Sequence, residues 1–451
     1  MTLQVEDYNL DHSPTLHTGG TLQGSGVHVI GSSVAPLASG PASRHFVASL
    51  SQPLSAQIAR DGAQDRIAIK VVSRLEAHKR RPHHIGSEIS ALASSPPHAN
   101  VGHRNSLRSA RVISEHLESL YTQVLTLLNA YASSTHYSIL TPFYPYTLRA
   151  LLDNSSFVPS SPSFLPLVLA LSHQLVQALD HLHHTLNLAH RDLNPSNIAI
   201  ASNGRLKLID FGCCIPTACP SSASDPPVVD GPKGLEHDFG TLPYRAPELI
   251  FGSNAYDPKG LDRWMLGCTL AEFWTPFQDP TREPDSDDSD SDSDPDAQDG
   301  YWSSPPSPHS SRPSQNPAPR PPNRQRLFTL PSRNPTDFSL LASIFSTLGT
   351  PTLQTWPEAR ALPNFGYFVF QSHPVDLEWV SKRCTFLAEL GEERRNRLEG
   401  LEKMLAGLVR ISEGERWGVE RCLKEGGWDT VETEGLIVRG ELGRWLEEYW
   451  Q

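Results

Sequence analysis

The chain has 451 residues, 38% of them hydrophobic, enough for one large domain or two to three ordinary ones. Its formal net charge of -12 argues against a nucleic-acid-binding surface spread over the whole molecule. No apolar run approaches the ~20 residues that span a bilayer. The N-terminal MTLQVEDYNL lacks the basic and apolar stretches of a secretory signal. Six cysteines without CxxC spacing fit a reduced intracellular setting, cytoplasm or nucleus.

Residues 1–26 are polar and rich in Gly, Ser and Thr, and read as a disordered leader. The β-branched run Ile67–Val72 predicts a strand. Gly102–Thr122 reads as an inserted loop or helix, and Val124–Leu128 and Tyr137–Leu140 as two further strands. From Val168, apolar residues at Leu171, Leu175, Ala178, Leu179 and Leu182 keep helical spacing, which predicts a core helix running towards His190. A short strand follows at Leu206–Ile209.

The composition then changes. Residues 278–326 begin as Asp/Ser repeats (DSDDSDSDSD) and continue Pro/Ser-rich, with too little apolar surface to offset chain entropy. They are predicted to be a disordered insertion, and between Arg282 and Asp299 nine acidic residues stand against one basic, so the remainder is close to neutral. Helical patterning resumes at Phe338, Leu340, Leu341, Ile344, Phe345 and Leu348. Within the tail 431–451, Leu442, Trp445, Leu446, Tyr449 and Trp450 predict an amphipathic helix docked on its own domain.

His190-Arg191-Asp192-Leu193 is followed by Asn197, then by Asp210-Phe211-Gly212 behind a strand, then by Ala246-Pro247-Glu248. In this order and spacing the set resembles the signature of eukaryotic protein kinases. The resemblance implies an α+β, two-lobed fold: a small β-rich lobe over 27–143, a larger helical lobe over 144–430, and ATP between them. It implies that Asp192 orients a substrate hydroxyl and accepts its proton, and that Asn197 and Asp210 offer oxygens to Mg2+. Lys70 in AIK would hold the α- and β-phosphates, fixed by Glu88 in GSEISAL. Leu37–Ser43 can be laid on the phosphate-covering GxGxxG, with Ala38, Gly40 and Ser43 at the glycine positions; backbone N–H groups still reach phosphate past small side chains. Thr141 would flank the adenine, and Pro142, Phe143 and Tyr144 would form the hinge.

GTLPYRAPELIFGSNAYDPKGLDRWMLGCTLAEF and IFSTLGTPT…WP resemble the cyclin-dependent-kinase-like branch, with Arg245 before APE. By that resemblance Asp262 braces the catalytic-loop backbone and Arg416 pairs with Glu248. The activity implied is phosphorylation of Ser or Thr in a protein substrate. No cyclin-binding sequence precedes Glu88, where RRPHHIGSEISAL stands, so a cyclin-like partner is not indicated and a monomer is expected.

Three departures bear on mechanism. Asn194 replaces the lysine that reaches the γ-phosphate; an amide adds no charge, which predicts slower chemistry. Gly240 stands for Val and Pro243 for Trp beside Thr241, where an unusual backbone shapes a pocket for a proline after the target residue, and glycine adopts such a backbone without strain. Glu236 stands where relatives phosphorylate a threonine, with Asp238 close by, and a carboxylate facing Arg191 would partly order the loop without phosphorylation. A kinase needing neither cyclin nor loop phosphate resembles the single-subunit fungal kinases that activate cyclin-dependent kinases. Two rivals stand beside this reading. Asn194 and the eroded glycine loop favour a nucleotide-binding pseudokinase, whereas the complete set Lys70, Glu88, Asp192, Asn197 and Asp210 argues against it. A scaffold acting through 278–326 is the other. His181, His183 and His184 read as a helix end rather than a metal site, and Cys213 and Cys214 as core thiols.

Overall fold

The computed structural model describes residues 33–39, 43–50, 65–77, 85–94, 125, 127–132, 135–217, 234–278, 323–331, 334–392, 395, 398–428, 436 and 440–450. The predicted leader, the 102–122 segment, Gly40, Cys219 and nearly all of the predicted insertion lie outside the described residues.

Strands β1 (Ala35–Ser39), β2 (Ser43–Ser49), β3 (Arg66–Ser73), β4 (Asn129–Ala132) and β5 (His136–Pro142) form an antiparallel sheet of order β1-β2-β3-β5-β4. The β-branched residues of β3 suit this central place, with Ile67, Val71 and Val72 buried. The sequence distance from Gly40 to Lys70 is long for a hairpin, yet Leu50 N–H donates to the Asp65 carbonyl at 3.0 Å. The extra length therefore falls between paired ends, at 51–64, and leaves the β2–β3 register continuous from Ser43↔Val72 to Ser49↔Arg66. Helix α1 (Ile85–Ser94) turns one face inward, burying Ile85, Glu88, Ala91 and Leu92 at helical spacing. A carboxylate on that apolar face requires a partner.

The strand predicted at Val124–Leu128 is displaced: β4 starts at Asn129. Leu125 and Leu128 are buried; Leu125 N–H donates across to the Leu208 carbonyl at 3.2 Å, and only at Leu128, whose N–H donates to the Leu140 carbonyl of β5 at 2.9 Å, does the chain meet the sheet. The run carried no polar/apolar alternation to mark a half-buried strand.

The larger lobe opens with β6 (Tyr146–Thr147) and α2 (Leu148–Leu152), capped by Thr147 Oγ1 accepting from Ala150 N–H at 3.2 Å. The central helix α3 (Phe164–Asp180) starts earlier than its apolar pattern suggested and ends in a π turn at His181–Thr185. Strand β7 (Leu188–Ala189) pairs with β10 (Ile215–Pro216), and β6 pairs with β8 (Ile198–Ile200), which pairs with β9 (Leu206–Leu208). Helices α4 (Pro247–Ile250), α5 (Pro258–Ala271), α6 (Asp337–Leu348), α7 (Glu399–Leu408), α8 (Val419–Glu425) and α9 (Glu441–Trp450) follow, with two short helical turns at Trp379–Arg383 and Thr385–Glu389 between α6 and α7. Asp257 caps α5 with Pro258 at its first position, and Thr336 and Ser339 form a reciprocal capping box on α6.

The chain leaves for the predicted insertion at Gln278 and returns at Asn323. Gln278 N–H donates to the Asn323 carbonyl at 2.8 Å, and Gln325 N–H to the Pro276 carbonyl at 2.9 Å. Fully buried Arg324 locks this junction: Nε donates to the Leu152 carbonyl at 3.1 Å, Nη1 to the Thr275 carbonyl at 3.0 Å, and Nη2 to the Phe157 carbonyl.

Candidate active site

Between the two lobes, β3, α1, the 190–197 loop and the turn after β9 bring together the charged residues singled out in the sequence. Lys70 Nζ lies 3.1 and 2.8 Å from the two Glu88 oxygens and 2.7 Å from Asp210 Oδ1. Burial works to lower the Lys70 pKa, but the two carboxylates outweigh it and hold the ammonium well above its usual range. The buried Glu88 thus has its charged partner, and α1 is tied to the turn at Phe211–Cys213. Cys214 Sγ also reaches the Ser87 carbonyl at 3.6 Å.

The 190–197 loop is shaped from below by Asp262 of α5. Its Oδ2 accepts from His190 N–H at 2.8 Å and its Oδ1 from Arg191 N–H at 2.7 Å. His183 Nε2 lies 2.9 Å from the same Oδ2, so this histidine of the helix-end trio is a buried brace. Among the described residues no group of three or more His, Cys, Asp and Glu could hold a metal ion. Arg191 and Asp210 take left-handed backbones, φ 64° and 60°, which non-glycine residues adopt at a cost the surrounding contacts must meet. His190 links the two turns, with Nε2 3.0 Å from the Ile209 carbonyl and its ring 4.9 Å from that of Phe211.

Asp192 is the focus of four donors. Thr241 N–H and Oγ1 each stand 2.9 Å from its Oδ1, Asn197 Nδ2 donates to its Oδ2 at 3.0 Å, and Asn194 Nδ2 lies 3.3 Å from Oδ1. Burial raises the Asp192 pKa, against the pull of the Thr241 N–H. Asn194 also donates to Thr241 Oγ1 at 3.0 Å and accepts from Ser196 N–H at 2.9 Å. The residue that breaks the sequence pattern therefore fastens the 192 loop to the 241 loop.

The cations offered by the signature lie against carboxylates or carbonyls. Arg416 is fully buried against Glu248, with Nη1 at 2.6 Å and Nη2 at 2.7 Å from its oxygens. Arg245 holds both Asp337 oxygens at 3.0 Å, donates to the Gly240 carbonyl at 3.1 Å, and stands 3.7 Å from Asp238. Arg191 donates to the Cys213 carbonyl at 2.7 Å and to Tyr256 Oη at 2.9 Å, and Tyr256 Oη donates to the Glu236 carbonyl at 2.7 Å. Tyr256 lies within the GSNAYDPKG stretch, but its uncharged side chain suggested no role there; only the folded chain places it between residues 191 and 236.

On the roof, Ala38 of β1 pairs with His45 and Ser43 begins β2. Phe143 N–H donates to the Arg66 carbonyl at 3.0 Å, under the Arg66 guanidinium, and the Tyr144 ring faces Lys207. Thr141 is buried on β5 next to them. Cys213 and Cys214 are buried, and burial pushes the Cys214 thiol up to about 12, so both behave as core groups.

The donor set suits a hard divalent cation. Asn197 Nδ2 is spent on Asp192, which leaves its amide oxygen to face a ligand, and Asp210 adds carboxylate oxygens; Mg2+ prefers such donors.

A family profile described as "Protein kinase domain" matches residues 55–299. The chain is 28% identical to cyclin-dependent kinase 7 of Xenopus laevis over 61% of this chain and 58% of that protein. It is 29% identical to cyclin-dependent kinase 20 of Homo sapiens over 44% of this chain and 39% of that protein. The match thus spans about 39% to 58% of these relatives' own length. Its fold resembles a chain in the structure of the CAK complex from Chaetomium thermophilum bound to ATP-gamma-S, with TM-score 0.53 and 18% identity over 88% of this chain and 91% of that one.

Proposed function

The chain belongs to the protein kinase family, and from that premise we propose that it transfers the γ-phosphate of ATP to Ser or Thr hydroxyls of proteins. The observation that carries this reading is the convergence of Glu88 and Asp210 on the Lys70 ammonium, each within 3.1 Å of it, beside the Asp192–Asn197 pair. An ammonium set between the buried Glu88 and the part-buried Asp210 is the arrangement that phosphate positioning needs.

In this reading Lys70 holds the α- and β-phosphates and Glu88 keeps it in place. Bound Mg2+ would neutralise phosphate charge, held by the Asn197 amide oxygen and Asp210. Asp192 accepts a hydrogen bond from the substrate hydroxyl and takes its proton. Thr241 and Asn194 hold the Asp192 carboxylate in its orientation, so Asn194 supplies position where relatives supply charge.

Gly240 carries the finer inference on substrate. Its φ is +81°, while an added Cβ would meet nothing closer than 3.6 Å, so the backbone conformation rather than crowding calls for glycine. The Gly240 carbonyl is occupied by Arg245 Nε. A substrate residue after the target hydroxyl would then find no acceptor here for its N–H, and proline has none to satisfy. We infer a proline-directed kinase of the cyclin-dependent-kinase-like type, acting inside the cell as a monomer. Its substrates on this reading include other cyclin-dependent kinases, and Glu236 replaces an activating phosphate. The likeness to cyclin-dependent kinase 7 supports the type.

A Ser/Thr peptide array with proline or alanine after the target residue tests this. A preference for proline of tenfold or more, lost together with all transfer in Asp192→Asn, is the expected result. Equal use of both peptides would remove the proline assignment, and transfer surviving in Asp192→Asn would remove the catalytic one.

A further inference from the structure

The hinge residues Phe143 and Tyr144 lead within two residues into β6, and there Tyr146 meets the far end of the chain. The rings of Tyr146 and Trp450 are stacked face to face, centroids 3.9 Å apart and planes 1° from parallel. Trp450 ends α9, a helix separated from Tyr146 by some three hundred residues of sequence.

Nothing about this contact is casual, because α9 is fixed along its whole length. At its start, Leu442 is fully buried over Gly204, where a Cβ would stand 2.4 Å from Leu442 Cγ, and Gly443 lies against the Ser202 carbonyl. At its end, Asn154 Nδ2 donates to the Tyr449 carbonyl at 2.7 Å, and Tyr449 Oη stands 2.7 Å from both Ser161 and Ser163 Oγ. Ser163 Oγ also reaches Glu448 at 3.0 Å, and the Tyr449 ring meets Phe157 edge-on at 5.2 Å. Gly204 belongs to the turn between β8 and β9; β8 starts directly after Asn197, and β9 ends two residues before Asp210. One helix therefore touches both the floor that presents the metal-binding oxygens and the segment on which the lobes pivot.

We propose that α9 is a strap along the larger lobe beside the nucleotide cleft, with Trp450 a positioning residue that holds the hinge exit through Tyr146. The inference rests on the kinase reading above but concerns nucleotide binding rather than transfer. An unstacked Tyr146 would let β6 and the hinge sample more conformations, and ATP would have to bear the cost of ordering them. The indole Nε1 of Trp450 has no hydrogen-bond partner among the described residues. Phenylalanine at 450 therefore keeps the stack and gives up no bond.

Equilibrium titration of the full chain with a fluorescent ATP analogue and Mg2+ measures the effect. Trp450→Ala and Tyr146→Ala should each weaken binding about threefold to tenfold, the range one aromatic stack represents. The double variant should be no weaker than the worse single one, and Trp450→Phe should bind as the natural chain does. Leu405→Ala, a core cavity in α7, which packs on α5 and is not among the contacts of α9 or Tyr146 named here, supplies the structural control: a lower melting temperature with unchanged affinity. Affinity unaltered in Trp450→Ala, or weakened equally in Leu405→Ala and Trp450→Phe, overturns the strap. Tight analogue binding without any phosphate transfer would leave the strap standing and remove only the catalytic reading. No analogue binding in the natural chain would remove both.

Discussion

Glu248 and Arg416 are both buried, 4% exposed or less, and each is the other's charged partner. Glu248→Ala strands a guanidinium in the core, and should cost about 3–5 kcal/mol, read as a lower denaturant midpoint. A loss under about 1 kcal/mol would mean that Arg416 is satisfied by the Gly260 and Ile411 carbonyls it also reaches. Asp192 yields a second outcome at this scale. Burial raises its pKa, and a proton acceptor works only when deprotonated, so phosphate transfer should fall as pH drops through that raised value. A rate flat from neutral pH to the ordinary carboxylate range would contradict it. Residues of this kind were legible in the sequence because their chemistry depends on type and spacing: Lys70, Glu88, Asp192, Asn197 and Asp210 all meet in one cleft. Tyr256 and His183 were not, because nothing distinguishes a bridging tyrosine or a bracing histidine from its neighbours until remote segments pack together.

Individual elements show the same division. The helices at 168, 338 and 442 were readable from periodicity, since the latter two bury one face and the first keeps its largest apolar residues at helical spacing though it is covered nearly all round. The run at 124–128 misled, since an apolar run without a period does not mark where a strand starts, and β4 begins after it. The junction at Arg324 could not be seen at all, because its carbonyl partners on Leu152, Phe157 and Thr275 are backbone groups with no signature. Arg324→Ala would leave these acceptors buried and unpaired, for an expected loss of about 3 kcal/mol or more in a urea titration; a near-neutral effect would show that the junction is held elsewhere. Replacing 279–322 by a short flexible linker should leave transfer intact, since Gln278 and Asn323 already meet. Abolished function after that change would favour the scaffold reading.

Helix α5 carries a pH-sensitive group just beyond its end. Glu272 is fully buried between Tyr244 Oη at 2.7 Å and Arg149 Nη1 at 2.9 Å, and burial pushes its pKa up to about 7. Between about 4.5 and 7 the folded chain then keeps a proton that the unfolded chain releases. Stability should therefore decline as pH rises through this window, the reverse of the behaviour of a salt-bridged carboxylate. Glu272→Gln should flatten this part of the melting-temperature profile relative to the natural chain. Parallel profiles in the two proteins would show that Arg149 keeps Glu272 ionised throughout.

At the scale of the whole molecule, two lobes and a tail are joined through a few groups. Lys70 and Glu88 come from the sheet and α1, Asp210 and Asp192 from the larger lobe, and α9 reaches back to the hinge exit. The two-lobed architecture was legible from the order of motifs. The tail was legible as a docked helix, but its contact with Tyr146 was not, because only the folded arrangement brings residue 450 to residue 146. Whether the assembled cleft performs phosphate transfer is decided by incubating the purified full chain with γ-labelled ATP, Mg2+ and a Ser/Thr protein substrate, beside Asp192→Asn. The natural chain should label serine or threonine, and Asp192→Asn should be slower by about 10²–10⁴-fold. No label from the natural chain, or equal label from both proteins, would contradict the account.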